Sequence, residues 1–90
     1  MFTFTGILIK ERQGYSSICP ELDVASVGDT PEQAKNMLLE AATLHLEGAF
    51  EDGLPYLRRI PADTDPRIAA PETVAEVFRF RVDITVHAYA

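Results

Sequence analysis

A chain of 90 residues with a net charge of −6, 47% apolar and 24% charged, has the make-up of one ordinary globular domain and excludes a disordered tail. The negative balance argues against direct contact with a nucleic-acid backbone and favours a basic protein as partner. The single cysteine, Cys19, can form no internal disulfide, no apolar run is long enough to span a bilayer, and the N-terminus lacks the basic start of a signal peptide. The expected location is therefore cytoplasmic, with no membrane contact.

Phe2 to Glu11 is rich in β-branched and aromatic residues and reads as a first strand. Phe2, Phe4, Gly6 and Leu8 share one face and Thr3, Thr5, Ile7 and Ile9 the other, so the strand is expected at the centre of the sheet, with the helix over one side. Glu11 to Gly14 suits a hairpin turn, Tyr15 to Cys19 the returning strand, Pro20 its stop, and Val24 to Gly28 a third strand.

The helix has the clearest signals. Thr30 is the expected N-cap, Pro31 stands at the first helical position, Gln33 completes a capping box, and Gly53 supplies the stop. Ala34, Met37, Leu38, Ala41, Ala42, His45, Leu46 and Ala49 form the expected buried face. Glu32, Asn36, Glu40, Thr43 and Glu47 lie opposite, and Glu32, Asn36, Glu40 and Glu47 are the candidate partner-binding residues.

Residues 54–73 carry Pro55, Pro61, Pro66 and Pro71 and read as an extended connection, with one short helical turn near Tyr56 to Ile60. Its length hints at a path across the surface or to a second subunit. Residues 74–89 read as a last strand, in which Phe78, Phe80, Val82, Ile84, Val86 and Ala88 alternate with polar residues. A strand this long suggests pairing across a subunit boundary through Phe80, Val82, Ile84 and Val86, as a dimer or tetramer. The expected fold is thus one α+β domain over 1–90, in β-β-β-α-β order: a small antiparallel sheet with one long helix on one face, its core within 1–53.

No phosphate loop, His-Glu-x-x-His or Gly-x-Ser-x-Gly occurs, so no catalytic residue, metal or cofactor is expected. His45 reads as a partly buried filler, His87 as a surface residue and Cys19 as a small buried hydrophobe. Glu21, Asp23, Asp29 and Glu32 would have to converge for a metal-dependent nuclease; turn and capping roles account for them more simply. Arg58, Arg59 and Arg67 are the only basic concentration, diluted among acids.

The segments Gly14-Tyr-Ser-Ser-Ile-Cys-Pro-Glu-Leu22 and Ser26-Val-Gly-Asp-Thr-Pro-Glu-Gln-Ala34, followed by a helix containing Glu40-Ala41 and Leu44-His-Leu-Glu47, resemble the HicB-type antitoxins and the small stand-alone HicB-like proteins. The resemblance implies a partial RNase H-like or double-stranded-RNA-binding-like sheet that lacks the RNase H catalytic acids. It further implies a role in binding and masking a small basic mRNA-cleaving toxin. Many such antitoxins continue into a DNA-binding segment; here the chain reaches Ala90 directly after the last strand, so a binding domain without its own operator contact is expected. The alternative within the same resemblance is an orphan oligomeric protein with no toxin.

Overall fold

The computed structural model describes residues 2–84. Strands β1 (Phe2–Lys10), β2 (Tyr15–Cys19), β3 (Val24–Gly28) and β4 (Val74–Val82) form one antiparallel sheet in the order β3-β2-β1-β4. Helix α1 (Pro31–Asp52) packs on one face of it. The α+β class, the order of the main elements and the central place of β1 match the sequence-based expectation.

Alternation along the strands decides what lies under the helix. Phe2, Phe4 and Gly6 stand opposite Val82, Phe80 and Phe78, and Leu8 stands opposite Ser17, so these residues share the helix-facing side. Phe4, Cys19, Leu22 and Val82 meet Leu38, Ala42 and Leu46 of α1 in the core. At the far end Phe2, Phe50 and Tyr56 form a three-ring cluster with centroids 5.3–5.5 Å apart.

The helix buries Ala34, Leu38, Ala42, Leu46 and Ala49, about one residue per turn. This stripe is narrower than expected. Met37, assigned to the buried face, is exposed, and Ala41 and His45 are only half-buried. Three of the five buried positions are alanines, so the stripe that meets the sheet is narrow.

Both ends of α1 are fixed by local chemistry. The Gln33 N–H donates to Thr30 Oγ1 at 3.1 Å, as a cap should. The Gln33 side chain reaches one residue further back than a capping box predicts: its Oε1 accepts from the Asp29 N–H at 2.5 Å, not from Thr30. At the other end Gly53 adopts φ 67°, which costs glycine little, and the Leu54 N–H donates to Ala49 O at 2.8 Å. Gly28 brings β3 against the first turn. A Cβ there would lie 2.8 Å from Ala34 Cα. Beside it the buried Ser17 hydroxyl donates to Ala34 O at 2.8 Å.

The connection differs from expectation in detail. No helical turn forms at Tyr56 to Ile60. That stretch is extended and pairs with the corner after β2, Arg58 N–H donating to Glu21 O at 2.9 Å and Ile60 N–H to Pro20 O at 3.0 Å. Pro61 accounts only for the end of the stretch, since it pushes Ile60 alone out of the helical region. Short turns appear instead at Ala62–Thr64, in α2 (Pro66–Ala69) and at Pro71–Thr73, each beginning at or just after a proline. The chain then passes beside the sheet's second face, where Arg67 and Pro71 line a depression with Val74 and Val77. Ile7 points to that face and is nevertheless fully buried.

The last strand is shorter than expected. It ends at Val82, opposite Phe2, and Asp83 and Ile84 are not in a strand. The pairing register reaches no further than this because β1 itself begins at Phe2. Val86, His87 and Ala88 lie outside the described residues.

Candidate protein-binding surface

Glu32, Asn36, Glu40 and Glu47 all project from the solvent side of α1, so the structure places the expected partner-binding residues on one surface. Glu51 and Asp52 extend the acidic character to the helix end. The helix has a single basic residue, Lys35, and it is turned away. Its Nζ lies 2.8 Å from Glu76 Oε1 on β4 and 5.0 Å from the centre of the Phe78 ring. The solvent face is left with one sign of charge.

Those charges are placed at some cost to the helix. A helix C-terminus carries partial negative charge, so Glu51 and Asp52 oppose the dipole, and no basic residue in the last turn offsets them. Next to the acidic stripe runs an apolar one that sequence reading assigned to the core or passed over. Met37 and Leu44 are 41% and 62% exposed, with the small residues Ala41 and Gly48 between and after them. A Cβ at Gly48 would meet nothing within 4 Å. The signal was present in the helical spacing: Met37, Leu44 and Gly48 sit at the margin of the apolar arc, where burial is least determined.

The acids considered for metal chemistry do not converge. Glu21 faces β1, its carboxylate accepting from the Thr5 N–H at 3.1 Å through each oxygen and from Thr5 Oγ1 at 2.8 Å. Asp23 faces Arg58 at 3.8 Å, across an exposed gap that contributes little. Asp29 and Glu32 stand exposed at the helix start. Among the described residues no group of three or more His, Cys, Asp or Glu side chains is arranged to hold a metal ion. The arginines are likewise dispersed. Arg67 is held by the buried Asp65, Nη2 to Oδ2 at 2.6 Å, and the same carboxylate caps α2 through the Arg67 N–H. Arg67 keeps the Asp65 carboxyl below its usual range.

His45 has a structural task. Its Nε2 lies 2.8 Å from Tyr56 O, and since a carbonyl only accepts, Nε2 carries the proton. The bond ties the start of the connection to the helix. Cys19 is fully buried, with Sγ 3.6 Å from Glu21 Oε1. Burial, and then the neighbouring Glu21 charge, pushes the thiol from an ordinary 9.0 up to about 12. An unfolded chain therefore loses this proton near pH 9.0 while the folded chain holds it to about pH 12, so the folded state binds more protons in that window and stability falls as pH rises through it. The slope from this one group is at most about 1.4 kcal/mol per pH unit. Urea denaturation between pH 8 and pH 11 is expected to show a shallower alkaline loss for Cys19→Ala than for the unsubstituted protein; parallel curves would contradict the assignment.

Comparison of the chain with protein-family models, with curated proteins and with solved structures yields no match.

Proposed function

We propose that this domain is a HicB-like, antitoxin-like binding module that covers the active-site face of a small basic mRNA-cleaving toxin. One observation carries the reading: the solvent face of α1 presents Glu40, Glu47 and Glu51 beside exposed Leu44, with no basic residue among them and with the C-terminal acids opposing the helix dipole. Charge of one sign steers a basic partner and fixes its orientation, and an apolar strip beside it supplies area to desolvate. The motif order around Pro20-Glu21-Leu22 and Gly28-Asp29-Thr30 gives the partner its class by resemblance. The protein acts by occlusion, needs no cofactor, and works in the cytoplasm. The alternative, an orphan oligomeric HicB-like protein, keeps the same fold and lacks a client.

Co-expression with any small basic reading frame found beside the gene tests this. The domain is expected to relieve growth arrest and to co-purify with that product. Glu40→Lys combined with Glu47→Lys is expected to weaken the complex by roughly tenfold or more, with a shallower salt dependence. Relief that is lost entirely on removing a different surface, or a neighbouring product that neither arrests growth nor binds, would favour the orphan reading.

A further inference from the structure

We infer that the flank of α1 formed by Met37, Ala41, Leu44 and Gly48 is the seat of a basic amphipathic helix of the partner protein, packed nearly in line with α1 and with its lysine or arginine side chains over Glu40, Glu47 and Glu51. The inference rests on the reading of α1 as a binding surface and names the element that docks there.

Spacing sets the shape of the occupant. Met37, Ala41, Leu44 and Gly48 follow one another at steps of four, three and four residues. Such a seam keeps to the helix axis instead of winding off it, so a second helix crossing at about 20° can lie along its whole length. From Met37 to Gly48 that length is about 16 Å, roughly three turns. An apolar line of this kind is how one helix reads another, whereas an extended peptide is taken up at the edge of a sheet.

The seam has no use inside the chain. The sheet is met by a different stripe, Ala34, Leu38, Ala42, Leu46 and Ala49. Met37 and Leu44 are left exposed, although they are large and apolar. Gly48 lies within the helix, where glycine is less stable than alanine, yet a Cβ there would meet nothing within 4 Å. No internal packing calls for the missing side chain. One turn beyond Leu44, it leaves a notch that a neighbouring helix can enter closely.

Charge decides between occupants. Glu40, Glu47 and Glu51 are exposed along the border of the seam and form no ion pair among the described residues. Lys35, the helix's one basic residue, is drawn off to Glu76. A second copy of this chain laid on the flank would set carboxylates against carboxylates in either direction, and like charges facing each other across an interface are costly. A helix with lysine or arginine beside its apolar line meets the same border with opposite charge.

The test uses the full chain and a synthetic peptide of roughly three heptads, with leucine and alanine along one seam and lysine on either side of it. Its control is a scrambled peptide of identical composition, which keeps the charge and loses the seam. Fluorescence anisotropy reads affinity, and circular dichroism reads helix gained on mixing. The seam peptide is expected to bind one to one, to gain helix, and to bind roughly tenfold tighter than the scramble. Leu44→Ala and Gly48→Leu are each expected to weaken it by roughly tenfold, the second because a side chain fills the notch. Neither change touches the core, so both variants fold. Leu39→Ala, one turn beyond Lys35 and so on the other flank, is expected to change nothing. A seam peptide that binds no better than its scramble, or binding indifferent to Leu44→Ala and Gly48→Leu, would overturn the inference. A neighbouring product captured equally well by the Gly48→Leu variant would sink this inference and spare the proposed function. Seam-dependent peptide binding without any captured product would do the reverse.

Discussion

Gly28→Ala is expected to destabilise the protein by about 1–3 kcal/mol. The new methyl group would lie 2.8 Å from Ala34 Cα and 2.8 Å from the Gln33 carbonyl carbon, and both are backbone atoms that no rotamer change can move. Relief requires the first turn of α1 to rise from β3. That movement would stretch the bond from the buried Ser17 hydroxyl to Ala34 O, leaving Ser17 without its partner. Against a total stability of about 5–15 kcal/mol for a domain, the loss is a sizeable fraction. The measurement is a urea midpoint at unchanged slope. Gly48→Ala is the internal control: its methyl group meets nothing within 4 Å, and replacing a mid-helix glycine is expected to add about 0.5–1 kcal/mol. Equal shifts for both variants would show that the close approach at Gly28 is not what the motif serves.

Glu21→Ala is the second large expected effect, a loss of about 1–3 kcal/mol. β2 pairs with β1 only from Ile7 onward, so the Thr5 N–H points to a place where the neighbouring strand has already turned away. The Glu21 carboxylate fills that place, taking the Thr5 N–H and hydroxyl together at 3.1 and 2.8 Å. It continues the ladder with a side chain. Removing it leaves part-buried donors with no acceptor, while Glu21→Gln keeps one acceptor oxygen and should fall between. Amide hydrogen exchange locates the effect: Thr5 is expected to lose protection in Glu21→Ala well beyond the global change, and unaltered protection at Thr5 would refute the role.

Much of the architecture was legible because it is set by local chemistry. Thr30, Pro31, Gln33 and Gly53 mark a helix by the groups they give or withhold, and alternation marks Tyr15 to Cys19 and Val24 to Gly28 as strands. What escaped depends on distant parts of the chain. Met37 looks buried on a helical wheel, but only the packing of the helix on the sheet shows that it is exposed. The stretch around Arg58 is extended because Glu21 and Pro20 offer carbonyls to it, which no window of sequence reveals. The surface was half legible. The acidic residues were evident from their spacing; the adjoining Leu44 strip and the withdrawal of Lys35 onto β4 required the packed structure.

The helix is gripped near both ends, by Gly28 and Ser17 at its start and by the His45 bond to Tyr56 toward its finish. A surface held in this way has already surrendered its conformational freedom before any partner arrives, so little ordering entropy remains to be lost on association. Under the proposed binding role, encounter would be a docking of preformed shapes, with the rate set by electrostatic steering and the lifetime by the apolar strip. Loosening either grip should therefore slow productive capture without touching a single contact residue.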